Sequence, residues 1–168
     1  LSEADIRDLY ELNHVLVDWS VNCLIADAIP GSVIGVPELC VLSKKLTLLK
    51  APSDEVIANS VGLLFEACAK RSGNSEILLR VKNASDRLNY IRICETRMQT
   101  APLDPLLVIL QLGSEGSYEQ LRTALNTQFD LSIRLLPHVM RQGIFPVVSF
   151  SEEIVVENLI HEPKQDWR

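Results

Sequence analysis

The sequence predicts an all-α fold, and three observations carry that prediction. Leu, Ile and Val recur at helical spacing through one stretch after another. The breaks between stretches are short and fall at Pro30-Gly31, Ala51-Pro52, Gly73-Asn74, Ala101-Pro102 and Gly113-Ser114. Only 7 glycines serve the 168 residues, few for the tight turns of an all-β chain. The apolar-periodic segments give seven to eight helices, arranged as an irregular bundle or a short helical stack.

The first helix is expected from Glu3 to Ala28, with Leu9, Leu12, Leu16, Trp19 and Cys23 along its inward stripe. Ser2 and Asp5 form a capping pair, and Glu3, Asp5 and Asp8 complement the helix dipole. The second opens with Pro37 at its first position and buries Leu39, Leu42, Leu46 and Leu49 before Pro52. Ser53 caps the third, whose wide stripe runs through Val56, Ile57, Val61, Leu64, Phe65 and Cys68. Lys70, Arg71 and Gly73 supply its C-terminal signals.

The fourth segment, 74–99, carries a seam of Ile77, Val81, Ala84, Leu88, Ile91 and Met98 that only Glu95 interrupts. Two strands, Glu76–Lys82 and Leu88–Thr96, are the competing reading; the helix is preferred because the seam outlasts any strict alternation. In the fifth, Asp104 caps, Pro105 starts and Leu106, Leu107, Ile109 and Leu110 bury, with a turn over 113–117. Ser117 and Gln120 suggest a capping box for a sixth helix carrying Leu121, Ala124 and Leu125. A seventh, Asp130–Arg141, should be kinked or divided by Pro137. Ile144–Phe150 reads as an extended connector, and Ser151 caps a last helix ending near Ile160. The whole reads as one helical domain, 1–160, with a polar tail, 161–168. The rhythm of the third to seventh segments is similar to that of HEAT and armadillo stacks, in pattern only and without their consensus signatures.

Composition narrows the classes of function. A hydrophobic fraction of 47% and a charged fraction of 23% fit a globular chain rather than a disordered one. No stretch is apolar enough to span a membrane. A net charge of −6 argues against a general nucleic-acid coat. Four cysteines without C-x-x-C spacing read as free thiols packed as small hydrophobes, which suits a reducing compartment, cytoplasmic or nuclear. A chain opening on Leu1 reads as a piece of a longer intracellular polypeptide.

Reactive constellations are not evident. His14, His138 and His161 lack metal-ligand spacing, and the acid pairs Asp54-Glu55 and Glu152-Glu153 sit where helix dipoles explain them. There is no Gly-x-Ser-x-Gly, and the Gly/Ser loop at 113–117 lacks a P-loop lysine. The expectation is therefore a non-enzyme with no cofactor, metal or catalytic residues. One feature stands apart: residues 70–98 hold seven Lys/Arg against three acids. Arg80, Lys82, Arg87, Tyr90, Arg92 and Arg97 are the candidate partner-binding residues. The run can be a solvated face paired with the acidic first helix, a dock for an acidic protein segment, or a nucleic-acid contact. Leu78, Leu79, Tyr90 and Ile93 add apolar surface outside the seam. These features favour a protein–protein interaction module, a scaffold or adaptor that holds a partner helix or short peptide in a groove between helices, with cations at the rim. The alternatives are nucleic-acid binding through 70–98 and homodimerisation.

Overall fold

The computed structural model describes residues 1–32 and 34–144. Among these residues it is all-helical: α1 (Glu3–Asp27), α2 (Pro37–Leu48), α3 (Asp54–Arg71), α4 (Ser75–Met98), α5 (Leu103–Glu115) and α6 (Tyr118–Val139), the last running on into a π-helical turn, Met140–Ile144. The expected last helix, the connector before it and the boundary at 160 lie outside the described residues.

Local chemistry accounts for most of the helix ends. The Ser2 hydroxyl accepts from the Asp5 N–H at 3.1 Å while the Asp5 carboxylate accepts from the Ser2 N–H at 2.7 Å, a complete capping box. Ser53 accepts from the Val56 N–H, and Asn74 accepts from the N–H groups of Glu76 and Ile77. Residues 74–99 form one helix, not a strand pair, and its seam is buried or half-buried as expected.

Six α-helices stand among the described residues, one fewer than the sequence gives for the same span, and three boundaries need correction. The sixth and seventh expected helices are one, Tyr118–Val139: no Gly or Pro interrupts 126–130, and Asn126 and Asp130 lower helix propensity too little to break it. Pro137 neither divides nor ends α6; it lies in the last turn, and the ladder beyond it widens to π. The turn assigned to 113–117 starts late: α5 continues to Glu115, and Gly116, at φ 77°, is its left-handed C-cap. Two caps also fail. Helix α5 starts at Leu103 after Pro102, so Asp104 lies inside it, and Ser117 makes no capping hydrogen bond to α6.

Helices α3 and α4 form the most extensive pair, and α1 lies across α3, α4 and α6. Helix α2 packs chiefly on α5 and only lightly on α3. That preference has a local cause. The Val36 N–H donates to the Gly113 carbonyl at 3.0 Å, a Cβ on Gly113 would run into Leu39, and one on Gly35 would run into the Ser114 carbonyl. Glycine at both positions lets the start of α2 lie directly on the end of α5. Tyr118 fastens the same corner by donating its hydroxyl to the Ile34 carbonyl.

The core has two clusters. One joins Val21, Leu39, Leu64, Leu110 and Leu121; the other joins Ile6, Tyr10, Leu88, Ile91, Leu136 and Val139. Helices α1, α4 and α6 contribute to both. The register of α1 differs from expectation. Its buried line is Ile6, Leu9, Tyr10, Asn13, Val17, Ser20 and Val21, while Leu12, Val15 and Trp19 face outward, Trp19 at 44% exposed.

Candidate functional site

Because α2 leans on α5, a groove opens between it and the α3–α4 pair. Glu38, Val41, Leu42 and Lys45 of α2, Leu63, Glu66, Ala67 and Lys70 of α3, and Leu78 and Lys82 of α4 line it, enclosing about 450 Å³. The walls are aliphatic and open to solvent: Val41 is 68% and Leu63 51% exposed. Lysines stand along the rim. Lys70 reaches Glu38 at 3.5 Å and Arg71 reaches it at 3.2 Å. Backbone hydrogen bonding at the start of α2, followed by these two cations, holds the Glu38 carboxyl below its usual range. Lys45 and Lys82 form no ion pair among the described residues and are exposed.

The six candidate residues separate when placed on the helices. Lys82 lines the groove. Arg87 and Tyr90 are exposed on α4 outside its lining, with Tyr90 hydrogen-bonded to Cys94 of its own helix. Arg80 bonds Glu76 at 2.9 Å, and Arg97 bonds Asp54 and Glu55 at 3.3 and 3.4 Å. Internal pairing thus occurs with α2, α3 and α4's own first turn. The acidic α1 pairs instead with α6, through Asp18 and Arg122 at 2.7 Å. Arg92 requires a correction: it is not at a rim but inside the bundle, 4% exposed, because positions 85, 92 and 95 continue the buried side of α4.

Arg92 belongs to a polar cluster that sits at the junction of the two apolar cores. The Glu95 carboxylate accepts from the Tyr10 hydroxyl at 2.8 Å and from the Ser132 hydroxyl at 3.2 Å. Arg92 stacks its guanidinium over Phe65, with Cζ 5.0 Å from the ring centroid. Burial pushes the Glu95 carboxyl and the Tyr10 phenol upward and the Arg92 guanidinium downward. Beside the cluster is a cavity of about 60 Å³, to which Arg92, Glu95, Tyr10, Asn13, Phe65 and Leu125 all contribute walls. Its one legible trace in the sequence is Glu95, the charged residue breaking an otherwise apolar seam. Tyr10, Asn13 and Ser132 leave none, since each is ordinary at its helical position.

Among the described residues no group of three or more His, Cys, Asp or Glu is placed to hold a metal ion, and no helix is long and apolar enough to cross a membrane. His14 stacks on Phe129 at 4.1 Å between centroids, and burial lowers its pKa. The four cysteines are free, and burial takes the Cys68 thiol up to about 12. No protein-family model, curated protein or solved structure matches the chain.

Proposed function

We propose that this chain is a protein-interaction module whose α2–α3–α4 groove receives a short acidic, amphipathic segment, helix or peptide, of a partner protein. The observation that carries the reading is the groove's composition: aliphatic walls with Val41 and Leu63 largely exposed, and two lysines, Lys45 and Lys82, without an ion pair among the described residues, beside Glu66 and the Glu38–Lys70 pair. Apolar anchors of the partner would displace water from Val41, Leu42, Leu63 and Leu78, which supplies affinity. Its carboxylates would meet Lys45 and Lys82, which supplies orientation and association rate more than affinity. Such a groove suits a scaffold or adaptor role.

The pairing of the basic run supports this over nucleic-acid binding. Arg71, Arg80 and Arg97 are held by carboxylates and Arg92 is buried, so the cations form no continuous stripe for a phosphate backbone. Self-association is a second reading. It is favoured by Leu12, Val15 and Trp19, which form an exposed apolar line on α1.

Fluorescence anisotropy with labelled peptides tests the proposal. A helical peptide with Leu at i, i+4 and i+7 flanked by Glu should bind saturably, and the same peptide with Lys for Glu should not. Lys82→Glu and Leu63→Ser, both at exposed positions, should each weaken binding by about tenfold. Equal binding of the acidic and basic peptides would contradict it.

A further inference from the structure

The central cavity poses a question the groove does not answer: what satisfies Arg92. Both of its Nη atoms are buried without a hydrogen-bond partner. No carboxylate lies within 4.0 Å of it among the described residues; Glu95, held by Tyr10 and Ser132, acts on it through space without a direct bond. The guanidinium is walled by Phe65 on one side and lies close to Gly62, where an added Cβ would meet Nη1 at 3.6 Å. Arginine does not escape such a site by losing its proton, and a buried charge without hydrogen-bond partners at its Nη atoms is strongly disfavoured by desolvation. Asn13, which lines the same cavity, adds a second orphan: its Oδ1 is buried without a partner, and the amide turned by 180° would place the Nδ2 donors there instead.

The geometry points to a ligand site: we propose that this cavity binds a small aliphatic monocarboxylate, its carboxylate on the Arg92 fork and the Asn13 amide, its short tail against Val17, Leu64, Leu106 and Leu125. Three properties select that chemistry. The fork presents paired N–H donors that match a carboxylate in two-point contact. At about 60 Å³ the cavity holds a short chain and excludes a long one. The walls are mainly aliphatic and aromatic, and Glu95 lies alongside, so a doubly charged inorganic anion would face both greater desolvation and repulsion. Half-buried Gln99, Pro102 and Gln128 also line the cavity.

The test is an NMR titration of the 168-residue chain, read at the Arg92 Nε–Hε resonance, with butyrate, acetate, butyramide, sulfate and chloride as separate probes. Saturable shifts with butyrate or acetate, none with butyramide, and about tenfold or greater weakening in Arg92→Lys are expected, since lysine keeps the charge and loses the fork. The wild-type titration stands alone should Arg92→Lys fail to fold. A linear drift common to chloride and butyrate, an equal response to butyramide, or saturation by sulfate alone would each overturn the proposal and leave ordered water as the partner of Arg92.

Discussion

His14 illustrates how a single residue reports on packing. It lies flat against Phe129, interplanar angle 8°, so α1 and α6 meet there through a stacked pair rather than an ion pair. Burial is the largest influence on its pKa and lowers it below 6.5; Asp18 and Asp130 oppose this without prevailing. The folded state therefore binds fewer protons than the unfolded chain just below pH 6.5. Its contribution to stability is present above that pH and declines as the pH falls through the window between 6.5 and the folded value. An NMR titration should place the His14 midpoint below 6.5. In His14→Gln the unfolding midpoint in urea should fall less between pH 7.5 and 5.5, as compared with wild type. Glu95 acts in the opposite sense: its raised pKa means the folded state holds its proton longer, so its contribution weakens as pH rises through 4.5 and beyond. The slope attributable to His14 is the difference between the two proteins, which removes the Glu95 term.

At the scale of elements, caps and close approaches set where each helix begins and how it leans. Replacing Ser53 by Ala removes the acceptor for the Val56 N–H and should cost about 1 kcal/mol, measured by urea denaturation. Glycine-to-alanine changes at the α2–α5 contact should divide by what the new methyl meets. Gly35→Ala collides with the Ser114 backbone, whereas Gly113→Ala meets the end of the Leu39 side chain. Losses of about 1–3 kcal/mol are expected, larger for Gly35, and equal stability of both variants with wild type would refute the account of why α2 leans away from α3.

The elements legible in the sequence were those bounded by strong local signals: the Ser2–Asp5 box, Pro37 at the head of α2, Ser53 and Gly73 around α3, and the long seam of α4. The inward face of α1 was not legible, because Leu12, Val15 and Trp19 form as good an apolar line as Ile6, Leu9 and Val17. Periodicity gives a helix its amphipathic faces but cannot choose between two of them when polar Asn13 and Ser20 occupy the buried one. The same limit concealed the central cluster, whose members come from α1, α3, α4 and α6 and meet only after folding. The groove lysines are only partly visible in the sequence: Lys82 stands in the basic run, whereas Lys45, in the last turn of α2, is explained by the helix dipole alone.

For the whole molecule, the two core clusters should unfold together. Helices α1, α4 and α6 pass from one to the other, so loss of either cluster disturbs helices the other is built on. Leu88 and Leu121 are fully buried in different clusters. Truncating either to Ala should cost about 2–5 kcal/mol and lower a single cooperative transition. Two resolved transitions in one variant would show that the clusters are independent. Cooperative behaviour matters for the groove, because its walls come from three helices whose spacing the core maintains.

Amide chemical-shift mapping tests most directly the proposal that the α2–α3–α4 groove receives a partner segment. The acidic amphipathic peptide is titrated into isotope-labelled protein. The account predicts saturable shifts concentrated at Val41, Leu42, Lys45, Leu63, Ala67, Leu78 and Lys82. Shifts centred instead on Leu12, Val15 and Trp19 of α1, or none at all, would contradict it.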